Sequence, residues 1–318
     1  MITLFQNYFP KMFDPWTLKE EISLCNAKGE CGYERLKDFG IFLVDTNHGD
    51  IEIAKNGVSK SPHEKSIAYS NEGPKVLPKY YSDISLYPFF AGSFVGIDID
   101  EQYIKKVLQY SVPNLYQGGC CAPYDYQTKW KNKTEFISIF TRISKTQFTQ
   151  FMKYDLTDKK ISITESAIKY FETKFHVYGN GFSKFPSFRG EIGADSNWQR
   201  NKLDILAKYK FNICLENSDF DRYVTEKIMH SLIARSIPVY YGTESVKKLI
   251  PLQLLINIRD FENLNDCWKH IQSMTESEIQ SKICDIDSFV SDPKNTYPID
   301  SLRWADEIVR LCKNIGVI

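Results

Sequence analysis

From about residue 132 to residue 300, short apolar runs alternate with longer amphipathic segments. The apolar runs include "EFISIF", "KFHVY", "YKFNICL" and "IPVYY", and segments such as "TESAIKYFET" and "ENLNDCWKHIQSM" have apolar residues at helical spacing. Near-continuous apolar runs are typical of strands buried on both faces of a parallel sheet. Strands that alternate with helices indicate an α/β sheet with helices on both faces. The sequence therefore predicts a Rossmann-like domain in this part of the chain.

The 318 residues are roughly twice the usual length of one domain, which favours two domains. We place the first domain at 1–131 and the second at 132–318, with the turn-rich segment Pro113–Thr134 at their boundary. The ending "SLRWADEIVRLCKNIG" predicts a last amphipathic helix at 301–316. This helix either closes the second domain or crosses back to the first.

The first domain carries fewer readable patterns. Phe39–Thr46 and Lys65–Ser70 are apolar runs that end in polar residues, as buried strands do at a functional edge of a sheet. Asp100–Ser111 has the apolar spacing of a helix.

Charge, hydropathy and cysteine spacing argue against several classes of protein. Lys and Arg together number 40, as do Asp and Glu, so no overall positive field would attract nucleic acid. The N-terminus lacks a signal-peptide pattern, and no window approaches the roughly 18 apolar residues of a membrane span. The eight cysteines show no paired C-x-x-C spacing. We expect a cytoplasmic chain with reduced thiols, no transmembrane segment and no nucleic-acid partner.

The stretch "FNICLENSDFDRYVTEKIMHSL" joins a predicted strand to a predicted helix. Ligands of parallel α/β sheets gather at the carboxyl ends of strands, where loops lead into helix N-termini. The polar residues predicted to meet at this junction are Asn217, Ser218, Tyr223, Thr225, Glu226 and Lys227.

Lys227 is unusual for the first turn of a helix. The free N–H groups and partial positive charge of a helix N-terminus attract anions such as phosphate, whereas a cation there is mildly unfavourable. A diphosphate ligand would explain the lysine. Glu226 can accept hydrogen bonds from sugar hydroxyls, so a nucleotide sugar fits the residue types at this junction.

The motif "YKFNICLENS…YVTEK" followed by "IPVYYG" resembles the donor-binding signature of the α-1,3/4-fucosyltransferases, glycosyltransferase family 10. The resemblance implies a GT-B fold, with two Rossmann-like domains facing a cleft. It implies that the C-terminal domain binds GDP-fucose and that the N-terminal domain, 1–131, binds the acceptor. It implies that Asn217, Ser218, Tyr223, Glu226 and Lys227 contact the donor, with Lys227 at the diphosphate. It further implies a glycan acceptor containing GlcNAc or LacNAc, no cofactor besides the donor substrate, and a linkage left open between α-1,3 and α-1,4.

Transfer with inversion needs a carboxylate to take the proton of the incoming hydroxyl. Glu72 in "YSNEGPKVLP" lies just beyond the predicted strand Lys65–Ser70. It resembles the Glu-Ser-Pro element that carries the general base of the family, with Gly73 in place of Ser. Glu72 is therefore our candidate base, although the same pattern by itself is typical of a turn.

One cation of the family pattern is missing. The family usually has an arginine near the start of the helix before the "HVYGNG" strand, where it supports the diphosphate, but the comparable stretch "ISITESAIKYF" has none. Arg142 and Arg200 are the predicted substitutes.

Three other interpretations remain open. Asp98-Ile99-Asp100 and Asp285-Ile286-Asp287 match the Asp-x-Asp pattern that binds a divalent metal in GT-A glycosyltransferases. The motif is short and frequent, and helix capping explains the first match better, so we expect no metal site. A GT-B enzyme that uses another nucleotide sugar and a non-catalytic glycan-binding protein are the other two alternatives.

Overall fold

The chain folds into two units, each built on a parallel sheet. Met1–Ala122 groups with Tyr297–Ile318 in the first unit, and Pro123–Thr296 forms the second. A computed structural model describes residues 2–6, 38–39, 41–45, 66–70, 89–92, 107–109, 133–143, 155–191, 198–219, 223–292, 295, 306, 309–310, 312–313 and 318. The domain assignment of 1–131 and 132–318 stays a prediction.

Five parallel strands form the sheet of the first unit in the order β2-β1-β3-β4-β5. The strands are β1 (Ile2–Gln6), β2 (Ile41–Asp45), β3 (Ser66–Ser70), β4 (Phe89–Gly92) and β5 (Val107–Gln109). Strand β1 pairs with both β2 and β3, so Leu4 lies between Leu43 and Ile67. Strands β2 and β3 lie inside the two segments predicted as strands. This strand order is one of the two common doubly wound arrangements.

The helix predicted over Asp100–Ser111 is wrong at its C-terminal part. Residues Val107–Gln109 form strand β5, which pairs in parallel with Phe90–Gly92. The adjacent apolar residues Val107 and Leu108 suit a short buried strand as well as a helix. Pairing with β4 decides between the two, and no local pattern reports it.

Six parallel strands form the sheet of the second unit in the order β11-β10-β9-β6-β7-β8. The strands are β6 (Glu135–Phe140), β7 (Phe175–Tyr178), β8 (Phe188–Gly190), β9 (Tyr209–Leu215), β10 (Ile237–Tyr241) and β11 (Ile256–Asn257). Counted from β6, this is the 3-2-1-4-5-6 order of dinucleotide-binding folds. The strand order reverses between β6 and β9, and the carboxyl ends of that pair mark the crevice where such sheets bind ligands.

Five helices are described in full, all in the second unit. They are α1 (Thr157–Phe171), α2 (Trp198–Leu206), α3 (Glu226–Ile233), α4 (Leu264–Ser273) and α5 (Glu276–Ser291). Local sequence sets several helix starts: Asp155 accepts a hydrogen bond from the backbone N–H of Thr157 at 2.9 Å, and Thr275 and Glu278 form a capping box. Among these described helices, none combines the length and apolar character needed to cross a bilayer.

The core of the second unit lies on both faces of its sheet. Ile137, Phe175, Phe211 and Val239 from four neighbouring strands are fully buried. Trp268 of α4 is also fully buried; its indole nitrogen donates to the Ser166 hydroxyl of α1 at 2.8 Å. This packing fixes α1 against the sheet and so places the first turn of α1.

Between residues 301 and 316, the C-terminal segment of the first unit is helical wherever it is described. Asp306, Val309, Arg310, Cys312 and Lys313 all have helical backbone conformation, within the predicted helix at 301–316. Val309 and Cys312 are buried, and the Lys313 ammonium lies 5.2 Å from the centre of the Phe39 ring.

Candidate functional site

The connection from β9 to α3 gathers polar side chains at the carboxyl edge of the second sheet. Strand β9 ends at Leu215, and the loop that follows leads into α3, which begins at Glu226. The backbone N–H of Glu216 donates to the Tyr241 carbonyl at the end of β10 at 3.0 Å. The loop is therefore tied to the edge of the sheet, where parallel strands present ligands.

Glu216 ties the end of β9 to the start of α3. Its side chain is fully buried, and its two carboxylate oxygens accept the Thr225 backbone N–H at 2.8 Å and the Thr225 hydroxyl at 2.7 Å. Thr225 is the N-cap residue of α3. The carboxylate thus satisfies a backbone donor near the beginning of the helix.

Lys227 lies among three oxygen atoms of this junction. Its ammonium is 2.7 Å from the Thr225 hydroxyl oxygen, 3.4 Å from a Glu216 oxygen and 3.4 Å from a Glu226 oxygen. Only 14% of the Lys227 side chain is exposed. Lys227 lies in the first turn of α3, as predicted. The carboxylates of Glu216 and Glu226 offset its positive charge.

Glu226 is a mostly buried carboxylate, and one of its oxygens accepts no hydrogen bond from the described residues. Burial by itself raises the pKa of Glu226, but the charges of Lys227 and Lys202 outweigh burial and hold the pKa at about 2. Among the described residues, no hydrogen bond reaches the buried Oε2 atom. Glu226 is therefore ionised at neutral pH and can accept a hydrogen bond from a ligand hydroxyl.

Asn217 and Ser218 are held from the start of α1. The Lys160 ammonium donates to the Asn217 side-chain oxygen, the Leu156 N–H donates to the Asn217 carbonyl at 3.2 Å, and Ser218 forms an isolated bridge with Asp155. Within the described part of the chain, the buried Ser218 hydroxyl has no hydrogen-bond partner. The β9–α3 loop and the start of α1 therefore meet between β6 and β9, where the strand order reverses.

The structure brings the six predicted residues of the β9–α3 connection to one junction, with different surroundings. Tyr223 is 2% exposed, and the Thr225 hydroxyl is engaged by Glu216. Arg142, which follows β6, is exposed. Glu72 and the side chain of Arg200 lie outside the described residues, so their roles stay predictions.

Two buried lysines were missed by sequence reasoning. Lys160, in the first turn of α1, is 4% exposed, and Lys202 of α2 is 5% exposed. The Lys202 ammonium lies 5.6 Å from the centre of the Phe140 ring, and its charge lowers the pKa of Glu226. Burial of a lysine is rare without an anionic or polar partner, but no local pattern in "LTDKKIS" or "QRNKLD" reports that burial.

His230 of α3 lies behind the first turn. Burial, then the charge of Lys202, lowers the pKa of His230 well below its usual range, although Glu226 opposes the shift. The imidazole is therefore neutral at physiological pH and adds no charge to the site.

The second Asp-x-Asp match lies within helix α5. Asp287 pairs with Arg235, with 2.9 Å between the carboxylate and guanidinium atoms. Among the described residues, no group of three or more His, Cys, Asp or Glu side chains is arranged to hold a metal ion. Asp98 and Asp100 lie outside the described residues.

The amino-acid sequence is similar to those of known glycosyltransferases. The sequence model of the C-terminal domain of glycosyltransferase family 10 (fucosyltransferase) matches residues 131–282. A Helicobacter pylori α-(1,3)-fucosyltransferase is 38% identical over 73 residues, which cover 23% of this chain and 15% of that protein. The Caenorhabditis elegans α-(1,3)-fucosyltransferase fut-5 is 30% identical over 251 residues, covering 74% of this chain and 61% of that protein. The matches span only 15%, 20% and 25% of the lengths of three relatives, the first of which is the Helicobacter pylori enzyme.

The fold matches a solved structure over most of its length. A crystal structure of an α1,3-fucosyltransferase with GDP has a TM-score of 0.52 at 16% identity and covers 89% of this chain and 81% of that one. A crystal structure of an α1,3-fucosyltransferase with GDP-fucose has a TM-score of 0.50 at 17% identity and covers the same shares of the two chains. The predicted GT-B fold class is confirmed.

Proposed function

We propose that this chain, whose residues 131–282 match the C-terminal domain of glycosyltransferase family 10, is an inverting fucosyltransferase of that family. Its donor is GDP-β-L-fucose, and its acceptor is a hydroxyl of a glycan that contains GlcNAc. The observation that carries the proposal is the junction of β9 and α3, where Lys227, Glu226 and Ser218 meet at the carboxyl edge of the sheet. The solved relative that binds GDP-fucose supports this donor.

The diphosphate of the donor binds between Lys227 and Lys160. Lys227 stands at the N-terminus of α3, and Lys160 reaches Asn217 from the first turn of α1. The free N–H groups of a helix N-terminus favour a phosphate group, and the two ammonium groups stabilise the charge that develops on the leaving GDP. Lys160 takes the part of the missing family arginine, for which Arg142 or Arg200 was predicted as the substitute.

The hydroxyls of the donor satisfy polar atoms that the described protein residues leave without hydrogen bonds. The Ser218 hydroxyl and Oε2 of Glu226 are buried and have no partner in the described part of the chain. Leaving a buried polar atom unpaired costs about 1–3 kcal/mol, so a bound sugar or ribose hydroxyl would remove that cost. The buried Oε2 of Glu226 and the Ser218 hydroxyl therefore favour a ligand rich in hydroxyl groups.

The acceptor oxygen attacks the anomeric carbon of fucose while the bond from that carbon to the diphosphate oxygen breaks. Glu72 takes the proton of the acceptor hydroxyl, and GDP leaves with its electron pair. Attack from the face opposite to GDP converts the β donor into an α-linked product.

The decisive experiment is incubation with GDP-fucose and a panel of GlcNAc, LacNAc and type-1 acceptors, with products identified by NMR. An α-fucosylated product supports the proposal, and the NMR spectrum gives the linkage. Calorimetric titration with GDP-fucose, GDP-mannose and UDP-sugars tests the donor, and preference for a UDP-sugar would replace the fucose assignment. Activity that disappears in EDTA and returns with manganese would contradict metal-independent transfer.

Glu72→Gln separates an enzyme from a glycan-binding protein. The variant should lose turnover and keep its affinity for GDP-fucose, because the amide cannot accept the proton but leaves the donor site intact. Unchanged turnover would remove Glu72 as the base. Donor binding without turnover by the unsubstituted protein on every acceptor would favour a non-catalytic protein.

A further inference from the structure

The carboxylate of Glu216 accepts short hydrogen bonds from Thr225. Its side chain is fully buried, and it accepts both the backbone N–H and the hydroxyl of Thr225, at 2.8 Å and 2.7 Å. The Lys227 ammonium lies 3.4 Å from the oxygen that accepts the hydroxyl. A buried charge is tolerated when it is paired and hydrogen-bonded. These partners account for the burial of Glu216 without a ligand.

The pairing of Glu216 with Lys227 is shielded from water. The Glu216 side chain is fully buried and the Lys227 side chain is 14% exposed, so their attraction is screened less than that of a surface pair. The Lys227 ammonium also contacts the Thr225 hydroxyl oxygen at 2.7 Å. Glu216 and Thr225 together fix the direction of the lysine.

The stem of Glu216 lies beside Gly242, just after strand β10. A Cβ atom at Gly242 would lie 2.7 Å from Cγ of Glu216 and 2.4 Å from the Tyr240 hydroxyl. Both distances are shorter than van der Waals contact, so the stem of Glu216 occupies the space that a side chain at Gly242 would need. Glycine at position 242 therefore leaves the room in which the stem of Glu216 lies.

We propose that Glu216 is the positioning residue for Lys227. It holds the ammonium at the start of α3, in the orientation that a bound diphosphate needs, and does not itself touch the donor. The inference rests on the proposed function, because the ligand of Lys227 is the diphosphate of the nucleotide sugar.

The test is calorimetric titration of the full chain with GDP, using Glu216→Gln. Glutamine keeps the volume and one acceptor oxygen, but it presents an amide N–H₂ group to the Thr225 hydroxyl and to Lys227. GDP affinity should fall on the order of tenfold, the effect of losing one charge-assisted contact. The matched control is Glu165→Gln, because Glu165 is exposed on α1; its GDP affinity should be unchanged.

A double-mutant cycle separates positioning from a general structural role. If Glu216 acts through Lys227, Glu216→Gln combined with Lys227→Met should bind GDP no more weakly than Lys227→Met alone. Independent, multiplying losses would overturn the inference. So would unchanged GDP binding by Glu216→Gln, and in both cases the proposed function would stand. Failure of the unsubstituted protein to bind GDP would overturn the proposed function and the inference together.

A second pair of variants keeps the test open if Glu216→Gln does not fold, which thermal unfolding will show. Thr225→Val removes the hydroxyl that lies between Glu216 and Lys227 but keeps the backbone N–H bond to Glu216. It should weaken GDP binding on the order of tenfold. Thr225→Ser keeps the hydroxyl and should recover the affinity that the valine variant loses. Equal affinities of the two variants would contradict the proposal.

Discussion

Lys160 brings a positive charge to the β9–α3 loop from a helix outside the donor motif. It is buried in the first turn of α1, and its ammonium donates to the side-chain oxygen of Asn217. That contact fixes which end of the Asn217 amide faces the lysine. Because a lysine acts as a compact point charge without the fork geometry of arginine, Lys160 can serve Asn217 and a nearby phosphate from one position.

Lys160→Met tests this role at the scale of one residue. The methionine keeps the apolar stem and removes the charge, so we expect the free energy of GDP binding to weaken by about 1.5–3 kcal/mol, the typical strength of a charge-assisted hydrogen bond. Calorimetry measures the change. The control is Lys159→Met, because Lys159 is the adjacent lysine and is exposed. Equal losses in the two variants would indicate a general effect of charge and not a binding role for Lys160.

At the scale of elements, the turn after β7 depends on one glycine. Gly179 has φ = +114°, and its N–H donates to the Gly190 carbonyl at 3.0 Å. A Cβ atom at position 179 would lie 2.0 Å from the Thr141 carbonyl oxygen. The turn after β7 and the segment after β6 therefore approach more closely than a side chain allows.

Gly179→Ala should destabilise the protein by about 3 kcal/mol or more, because it combines a strained φ with a steric clash. Gly190→Ala is the matched control: Gly190 has φ = +122°, but a Cβ atom there meets nothing within 4 Å. Gly190→Ala should lower the free energy of unfolding by about 1 kcal/mol, because it adds conformational strain without a steric clash. Urea unfolding measures both, and equal losses would show that the contact with Thr141 is unimportant.

Lys133 connects the ends of two helices. Its ammonium donates to the carbonyl of Ala207, just after α2, at 3.0 Å and to the carbonyl of Ala234, just after α3, at 3.1 Å. A cation at helix C-termini is favourable. Burial, and then the charge of Arg235, nevertheless lowers the pKa of Lys133 from 10.5 to about 7.

Lys133→Met should lower stability at pH 7 by about 1–2 kcal/mol, because two carbonyls lose a donor. Between pH 7 and about 10.5 the unfolded chain binds a proton at Lys133 that the folded chain has released, so stability rises with pH in this range. The advantage of the unsubstituted protein over Lys133→Met should therefore grow from pH 7 to pH 10. Urea unfolding at several pH values tests this, with exposed Lys248→Met as control. A constant difference would contradict the lowered pKa.

At the scale of the whole molecule, the contacts proposed for GDP belong to one of the two units. Lys160, Asn217, Glu226 and Lys227 all lie in Pro123–Thr296. Ligand binding to the folded state stabilises it by about 2.7 kcal/mol at a concentration 100 times the dissociation constant. Local opening at the binding site should be suppressed most strongly.

Hydrogen exchange with and without GDP tests this localisation. Amides of the β9–α3 connection and of the first turn of α1 should exchange more slowly with GDP, whereas amides of strands β1–β5 should be unaffected. UMP, with a single phosphate and a different base, is the control nucleotide. Protection by GDP confined to the first unit would overturn the site.

The sequence by itself determined the parallel α/β organisation of the second unit and most of the β9–α3 junction. Apolar runs such as Phe211–Leu215 report burial on both faces of a sheet, and residues close together in sequence, such as Glu226 and Lys227, must share a helix turn. The helix predicted after the β9–α3 loop is the observed α3, Glu226–Ile233. These inferences succeed because local spacing alone fixes the geometry.

Only the tertiary structure decided which distant residues reach that junction. Lys160 and Lys202 are ordinary lysines in sequence, and the packing of α1 and α2 on the sheet buries them near the loop. The conversion of Val107–Gln109 from a predicted helix to β5 has the same origin, because pairing with Phe90–Gly92 lies outside the segment whose spacing predicted the helix. Strand pairing and helix packing depend on contacts between segments far apart in the chain, and the local periodicity of one segment does not encode them.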